Sequence, residues 1–254
     1  MALLETRGLT IRFGGNLAVS DVDLAVEAGA VTGLIGPNGA GKTTTFNMIC
    51  GVLAPTSGHV ILDGNDISKL GTHKRARRGI GRTFQRLEVF SSMSVRDNLL
   101  VGCEIRQGWA RSTPAFRQLL APEGADLSAE DEVELLMSRL GLTESADVRV
   151  GQLSTGRARL VELGRALAIR PRVLLLDEPA SGLDETETEE FGDLLQQLAE
   201  AGLSILMVEH DVPLVMKVCS QIFVLDFGRI IASGSAYDIQ HNESVLNAYL
   251  GSAS

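Results

Sequence analysis

Short apolar segments recur along this chain at intervals that suit the strands of a sheet. The six clearest lie at 8–13, 31–35, 59–62, 173–176, 204–208 and 221–225. Segment 173–176 reads Val-Leu-Leu-Leu, and an apolar residue at every position is typical of a strand buried on both faces in a parallel sheet. Helical spacing predicts helices at 42–50 and 185–201, between strands, as alternating strand and helix units require. We therefore predict an α/β fold with a mostly parallel central sheet.

The middle of the chain has a different pattern, with little strand signal and much helical signal. Helices are predicted at 94–101 and 129–140, and the segment 107–124 between them predicts a loop or short helices. No repeat or long linker divides the chain. We therefore predict a single domain over 1–254, in which a helical subdomain at about 86–170 is inserted into a core at about 1–85 and 171–254.

Composition and charge narrow the classes of protein and partner. The chain has 254 residues, of which 44% are hydrophobic, and a formal net charge of −9. This hydrophobic content allows a sizeable core, and an acidic surface repels phosphate backbones, so we expect no nucleic acid partner. No apolar run approaches the roughly 18 residues that span a bilayer, and charge within residues 1–7 disfavours a secretory signal. The three cysteines are too widely spaced for a disulfide framework or zinc site, which favours free thiols.

The sequence Gly-Pro-Asn-Gly-Ala-Gly-Lys-Thr at 36–43 matches the pattern of a phosphate-binding loop. A predicted strand precedes it and a predicted helix follows, which disfavours the alternative of a glycine-rich turn without a ligand. Backbone N–H groups of such a loop face the phosphates, and the helix N-terminus adds partial positive charge. We expect Lys42 to reach the β- and γ-phosphates and the Thr43 hydroxyl to bind Mg²⁺. The predicted nucleotide-binding residues of this loop are Gly36, Pro37, Asn38, Gly39, Ala40, Gly41, Lys42, Thr43 and Thr44.

Two acids, Asp177 and Glu178, directly follow the apolar strand at 173–176. In open α/β sheets, ligands bind at this carboxyl edge. We expect Asp177 to hold Mg²⁺ through water, and Glu178 to orient or activate the water that attacks the γ-phosphate. Taken alone, such a pair is more often a strand end with solvated acids. The phosphate-binding loop in the same chain makes that alternative the weaker one here.

A third segment, Leu-Ser-Thr-Gly-Arg at 153–157, lies about 20 residues before these acids and opens a predicted helix. Ser154 suits an N-cap, and Leu160, Leu163 and Leu167 give the helix an apolar stripe. A capped amphipathic helix accounts for the leucines but not for the Ser-x-Gly sequence at its start. Kinases, GTPases and several ATPase classes share a phosphate-binding loop, so this segment is what discriminates among them.

With these segments in this order, the chain resembles the ABC ATPase family over nearly its whole length. The motifs that carry the resemblance are the Walker A loop at 36–43, a Q-loop at 82–85, the signature at 153–157, the Walker B acids and proline at 177–179, a D-loop at 181–184 and a switch histidine at 209–211. The resemblance implies the ABC ATPase fold, with a P-loop NTPase core, an N-terminal antiparallel β subdomain and an inserted α-helical subdomain. It also implies that Phe13 stacks on adenine, where a core phenylalanine is the alternative.

The same resemblance implies that two ATPase subunits share each nucleotide site. Catalysis would depend on Lys42, Glu178 and His210, with the histidine contacting the γ-phosphate. The cofactors would be ATP and Mg²⁺, with Gln85 joining Thr43 and Asp177 as metal ligands. The opposing subunit's ATP would be contacted by Ser154 and Gly156, and Asp184 of the D-loop would also contact nucleotide.

The partners implied are a second ATPase subunit, identical or different, permease subunits in the membrane, and an external solute-binding protein. This assembly would place the chain at the cytoplasmic face of the cell membrane.

Several segments resemble one subfamily, the ATP-binding subunits of branched-chain amino-acid importers. They are 33–35, 46–47, 79–85, 208–211 and 248–251. Urea and amide importers share these features, and lipopolysaccharide-export ATPases are near relatives that segments 82–85 and 209–211 disfavour. A soluble ABC ATPase acting on DNA or the ribosome, a phosphotransferase or GTPase, and a module that binds nucleotide without turnover are rival interpretations. A long coiled-coil insert, a guanine-binding motif and a loss of catalytic acids would favour them, and none is present in the sequence.

Two residues depart from the commonest signature of the family, Leu-Ser-Gly-Gly-Gln. Thr155 replaces the first glycine of the pair, and Arg157 replaces the glutamine. A cation in the first helical turn opposes the helix dipole at a cost of about 0.3–1 kcal/mol, which contact with phosphate or an acidic partner residue would offset. We hypothesise that Arg157 marks an unequal pair of ATPase subunits.

Overall fold

The computed structural model describes residues 2–107 and 127–250, so most of the predicted loop or short helices at 107–124 lies outside the described residues. The strands are β1 Ala2–Phe13, β2 Asn16–Glu27, β3 Val31–Ile35, β4 Ser57–Leu62, β5 Asn65–Asp66, β6 Ile80–Arg82, β7 Val173–Asp177, β8 Ser204–Val208, β9 Gln221–Asp226 and β10 Arg229–Gly234. The helices are α1 Lys42–Cys50, α2 Thr72–Ala76, α3 Val95–Gln107, α4 Ala129–Arg139, α5 Thr155–Ala168, α6 Glu185–Glu200, α7 Val212–Val218, α8 Ala236–Gln240 and α9 Glu243–Leu250. Every strand and helix predicted within the described residues is present, although β1 begins six residues before the predicted strand at 8–13 and α3 ends six residues after the predicted helix at 94–101.

A six-stranded sheet, ordered β10-β9-β3-β8-β7-β6, forms the centre of the molecule. All neighbouring strands are parallel except the edge pair of β9 and β10. Side chains of β7 alternate between two cores, with Leu174 and Leu176 facing one and Val173 and Leu175 facing the other. The continuous apolar run therefore reflects burial on both faces, as the sequence predicts.

The second sheet is antiparallel, in the order β2-β1-β4-β5, and packs with α1 on one face of the central sheet. Strand β2 was not predicted, although its polar residues alternate with buried valines and leucines. Irregular pairing with β1 interrupts that alternation, and Asp21 has a positive φ of 55°. The edge strand β10 was also missed, because it is largely half-buried and lacks a clear period of two.

The region between about 86 and 170 is helical in its described part, apart from short turns. Helices α3, α4 and α5 pack together on the other face of the central sheet. Helix α3 extends to Gln107, beyond the predicted end at 101. The carboxylate of Glu132 on α4 is fully buried and pairs with Arg106 and Arg170, which ties α4 to the end of α3 and to the residues that follow α5.

The three cysteines, Cys50, Cys103 and Cys219, are free and buried. Burial raises the pKa of Cys50 to about 11 and those of Cys103 and Cys219 to about 12, so these thiols stay protonated and unreactive near neutral pH. Within residues 2–107 and 127–250, every helix is too short or too polar to cross a bilayer.

Candidate active site

The loop between β3 and α1 has a backbone that only glycine can adopt at two positions. Gly36 has a φ of 147°, and a Cβ there would lie 1.9 Å from the carbonyl oxygen of Leu225. Gly41 has a φ of 105°, and a Cβ there would lie 2.9 Å from the carbonyl oxygen of Ala18. Both glycines therefore hold the loop against its neighbours. Helix α1 begins immediately afterwards at Lys42, as a phosphate-binding loop requires.

The ammonium group of Lys42 lies inside this loop. Its Nζ donates to the carbonyl oxygens of Gly36 at 2.6 Å and Pro37 at 3.0 Å. Burial lowers the pKa of Lys42, and the carboxylates of Glu178 and Asp177 act in the opposite direction. The loop, the cation and both acids therefore belong to one electrostatic site.

Asp177 ends β7 and is only 2% exposed in its side chain. Its Oδ2 accepts a hydrogen bond from Arg82 Nη2 at 3.0 Å, and Arg82 also donates to the Asn47 side chain at 2.7 Å. Burial raises the pKa of Asp177, while Arg82 opposes that change. Asp177 Oδ1 is buried and has no hydrogen-bond partner among the described residues. An unpartnered carboxylate oxygen here fits a role as an oxygen ligand for Mg²⁺ or for water bound to it.

Glu178 has a φ of 48°, which is uncommon for a residue with a side chain. Its backbone N–H donates to the carbonyl oxygen of Val208 at 2.9 Å, which fixes this turn to the neighbouring strand β8. Its Oε2 accepts a hydrogen bond from Gln85 Nε2 at 2.9 Å and lies 4.0 Å from His210 Nδ1. The structure therefore brings together the predicted base, Q-loop glutamine and switch histidine, which are far apart in sequence.

A cavity of about 600 Å³ opens beside these groups. Its walls are formed by Asn16, Leu17, Ala18, Asn38, Gly39, Ala40, Gly41, Lys42, Thr43, Thr44, Gln85, Glu178 and Phe227. Four predicted residues, Gly36, Pro37, Asp177 and His210, lie outside the wall but adjoin Lys42 or Glu178. We call this the phosphate cavity.

The predicted aromatic residue, Phe13, does not line the phosphate cavity, whereas Phe227 does. Phe13 lies at the end of β1 and is 48% exposed, so the alternative of a core phenylalanine is wrong. It is not in the cavity wall, and its stacking on adenine stays a prediction. Phe227 in the turn after β9 does line the cavity and is 89% exposed. Phe227 was not among the predicted residues, although an aromatic residue beside Gly228, directly after the predicted strand at 221–225, is a visible signal.

The signature residues line a separate cavity of about 490 Å³, which we call the signature cavity. Ser154 caps α5 by accepting a hydrogen bond from the backbone N–H of Arg157 at 3.3 Å, which confirms the predicted N-cap. A Cβ at Gly156 would lie 2.4 Å from Glu187 Oε1, so glycine permits close packing against α6. Asp184 caps α6 in a reciprocal pair with Glu187. Within one chain, Ser154 and Gly156 are therefore not part of the phosphate cavity.

The structure supplies a local explanation for Arg157. Its Nη2 donates to the carbonyl oxygen of Gly141 at 2.9 Å, just beyond the C-terminal end of α4. A cation at a helix C-terminus is favourable, which offsets its unfavourable position at the start of α5. Arg157 thus ties two helices together within this chain.

The comparisons with known proteins agree with these motifs. A family model described as "ABC transporter" matches residues 19–181. The chain belongs to the ABC transporter family. It is an ATPase of that family, and the predicted fold class is confirmed by solved cassettes that cover nearly the whole chain.

Curated relatives of this ABC ATPase extend over its full length. It is 41% identical to the high-affinity branched-chain amino acid transport ATP-binding protein BraF of Pseudomonas aeruginosa, covering 99% of this chain and 98% of the relative. It is 38% identical to the corresponding protein LivG of Escherichia coli, with the same coverage. It is also 37% identical to the lipopolysaccharide export system ATP-binding protein LptB of Escherichia coli, again over 99% of this chain and 98% of the relative.

Solved structures give the same picture of the ABC ATPase. The ADP conformation of MJ1267, an ATP-binding cassette of an ABC transporter, superposes with a TM-score of 0.84 at 30% identity, over 99% of each chain. A nucleotide-free ATP-binding cassette from an ABC transporter has a TM-score of 0.83 at 29% identity, over 98% of this chain and 99% of the other.

Two buried charged residues of the ABC ATPase were missed by the sequence analysis. Arg159 and Glu162 lie on α5, 7% and 3% exposed, and form an ion pair at 3.0 Å. Arg159 donates to the carbonyl oxygens of Phe84 at 3.1 Å and Gln85 at 2.7 Å. Glu162 accepts from the backbone N–H of Phe84 at 3.4 Å and of Glu88 at 3.2 Å. Opposite charges three residues apart on a predicted helix are the signal that could have identified them.

Proposed function

We propose that this ABC ATPase energises solute import, with a branched-chain amino acid or a related small polar molecule as the solute. The observation that carries this proposal is the 41% identity with BraF across 99% of the chain. The lower identity with LptB, at 37% over similar coverage, makes export the second candidate. The residues of the two cavities would bind and hydrolyse ATP, and partner proteins would select the solute.

The proposed chemistry follows from the phosphate cavity. Glu178 would orient or deprotonate the attacking water, since its carboxylate is in the cavity wall and is held by Gln85. His210, 4.0 Å from that carboxylate, would contact the γ-phosphate. Lys42 would exchange its present carbonyl partners for phosphate oxygens. These three groups position water and charge, which is the main task in phosphoryl transfer.

Mg²⁺ fits the residues on this edge of the sheet. Thr43 and Gln85 line the cavity, and Asp177 presents a buried oxygen without a partner among the described residues. When bound, the ion would neutralise phosphate charge. We propose that these three residues hold it, with the hydrogen bond from Arg82 keeping Asp177 in place.

We further propose that each complete site needs two subunits. Ser154 and Gly156 line the signature cavity rather than the phosphate cavity of their own chain. In a facing pair of ATPases, they would meet the partner's ATP, and Asp184 would lie at the same junction. Whether the second subunit is identical to this one or different, the same geometry applies.

The region around the Q-loop is the proposed docking surface for the permease subunits. Phe84 within the Q-loop and Phe90 after it are exposed aromatic residues, and such residues suit a protein interface. We propose that permease subunits dock here and hold the chain at the cytoplasmic face of the membrane, in a system that includes an external solute-binding protein. We also propose a single domain over 1–254, with the core and helical subdomain divided at about 86 and 170.

Co-purification with native membrane proteins tests the proposal most directly. The chain should bring down permease subunits, and vesicles that enclose ATP, with the ATPase facing inward and the solute-binding protein added outside, should take up leucine. A complex built with Lys42→Ala should bind the permeases but take up no leucine. An assembly that moves lipopolysaccharide outward would overturn the import proposal, and full ATP hydrolysis by a dilute monomer would overturn the proposal of a shared site.

A further inference from the structure

Glu209 is a buried acid next to the switch histidine, and its carboxylate is occupied by backbone donors. Its side chain is fully buried. Oε1 accepts a hydrogen bond from the N–H of Ala180 at 2.8 Å. Oε2 accepts from the N–H groups of His210 at 2.9 Å and Asp211 at 3.3 Å. Three backbone N–H groups therefore occupy both oxygens of this one carboxylate.

These hydrogen bonds join two segments that leave neighbouring strands. Strands β7 and β8 are parallel neighbours, with Asp177 opposite Val208. The chain continues from β7 through Glu178 to Ala180, and from β8 through Glu209 to His210. One carboxylate therefore links the segment that carries the proposed base to the segment that carries the switch histidine.

Two carboxylates lie near the same nitrogen of the His210 imidazole. Its Nδ1 is 3.7 Å from Oε2 of Glu209 and 4.0 Å from Oε2 of Glu178. The ring is otherwise 65% exposed, so few neighbours restrict its rotation. Negative charge near Nδ1 favours the form that carries its proton there, which leaves Nε2 as the atom presented to the opposite side.

We propose that Glu209 is a positioning residue for hydrolysis, which fixes the backbone after Glu178 and the orientation and tautomer of His210. This inference rests on the proposed roles of Glu178 and His210. It adds a buried residue that fixes the positions of these two residues relative to each other. Glu209 touches no reacting atom and acts through its neighbours.

Glu209→Gln is the sharpest variant, since it keeps the shape and removes the charge. An amide presents one oxygen and one NH₂ group, and the NH₂ group cannot accept from a backbone N–H. At least one of the three hydrogen bonds is therefore lost. Turnover by the full chain at saturating ATP should fall about 10- to 100-fold, as for other residues that orient reactive groups, while ATP affinity stays within about twofold of the wild-type value.

Glu132→Gln is the matched control, because Glu132 is also a buried carboxylate but lies on α4 with Arg106 and Arg170. It should lower the melting temperature without changing turnover per folded chain. Glu209→Asp keeps the charge on a shorter side chain, and it should retain more turnover than the glutamine variant. It also provides a second test if Glu209→Gln folds poorly. Equal loss of turnover in Glu209→Gln and Glu132→Gln would overturn the proposal.

Nitrogen NMR of the imidazole gives a readout independent of hydrolysis. The Nδ1 and Nε2 shifts of His210, assigned by comparison with His210→Gln, should change in Glu209→Gln, while those of His59, His73 and His241 stay the same. Unchanged His210 shifts would refute the positioning role. The shifts of His210 could change in Glu209→Gln while the His210→Gln variant hydrolyses ATP at the wild-type rate. That result would support positioning of the histidine by Glu209 and refute the catalytic role of the histidine.

Discussion

The phosphate cavity and the signature cavity differ in the kind of residue that each contains. The phosphate cavity gathers Lys42, Glu178 and Gln85 from three separate segments at the carboxyl edge of the central sheet. The signature cavity is lined by Ser154, which caps α5, and by Gly156, which allows close packing against α6, and the N-cap Asp184 of α6 adjoins it. One region therefore carries the groups that are proposed to react, whereas the other lies where two helices begin.

The two regions are also connected within the chain. Helix α5 begins at the signature cavity, and its Arg159 and Glu162 hold the backbone of the Q-loop, whose Gln85 contacts Glu178. A displacement of the signature helix would therefore be transmitted to the proposed base by a short series of hydrogen bonds. Substitutions in the two regions should accordingly affect different steps, and substitutions in the connection should affect both.

The largest effect is expected for Glu178→Gln in the phosphate cavity. Removing a general base typically lowers turnover about 10²- to 10⁴-fold, while the neutral side chain should leave ATP binding intact. Radioactive ATP retention and phosphate release, measured on the same preparation, check both parts. Glu189→Gln on the exposed face of α6 is the control and should behave as the wild type. Near-normal turnover in Glu178→Gln would remove this residue from the role.

The connection between the regions is tested by Arg159→Met. The variant leaves Glu162 buried without its cation, and breaking a buried ion pair typically costs about 3–5 kcal/mol. The free energy of unfolding from urea titration should fall by this amount, and the Q-loop amides of 84–88 should exchange hydrogen faster. The double variant Arg159→Met, Glu162→Met should recover part of the stability. A double variant less stable than the single one would contradict the role of the uncompensated charge.

A smaller effect on stability is expected for Ser154→Ala at the signature cavity. Loss of the N-cap of α5 should cost about 1 kcal/mol, which thermal unfolding would detect. If sites are shared between subunits, the variant should also lower turnover while the ATP affinity of the dilute single chain stays unchanged. Ser128→Ala removes the N-cap of α4 in the same way and is the control for stability alone. Equal turnover in the two variants would argue against a shared site.

The sequence was sufficient for the elements that carry strong local signals. Segment 173–176 is apolar throughout because β7 is buried on both faces, and the glycines of 36–41 follow from backbone angles that other residues avoid. Strand β2 was missed because irregular pairing interrupts its alternation. Local sequence therefore predicts an element when its pattern is regular, as in β7, and does not when pairing with another strand is irregular, as in β2.

Side-chain partnerships were harder to predict, because they depend on residues distant in sequence. The contact of Gln85 with Glu178 spans 93 positions, and that of Arg82 with Asp177 spans 95. Motif order indicated that such groups meet, but it did not indicate that Arg82 occupies one oxygen of Asp177. The environment of Arg157 was likewise inaccessible, since its acceptor Gly141 belongs to another helix end.

The smallest effect is expected for Arg157→Gln, which tests whether this departure from the commonest signature has a structural or a catalytic origin. The guanidinium lies at the C-terminal end of α4, so its loss removes a hydrogen bond and a favourable dipole interaction and should cost about 0.5–1 kcal/mol. Thermal unfolding measures that loss, and Arg139→Gln, in the last turn of α4, gives the electrostatic part for comparison.

If the origin of Arg157 is structural, turnover of Arg157→Gln and its coupling to transport stay unchanged in the assembled transporter. A changed rate with unchanged stability would instead favour the hypothesis of an unequal pair of ATPases, because the residue would then act across the subunit boundary rather than between two helices of its own chain.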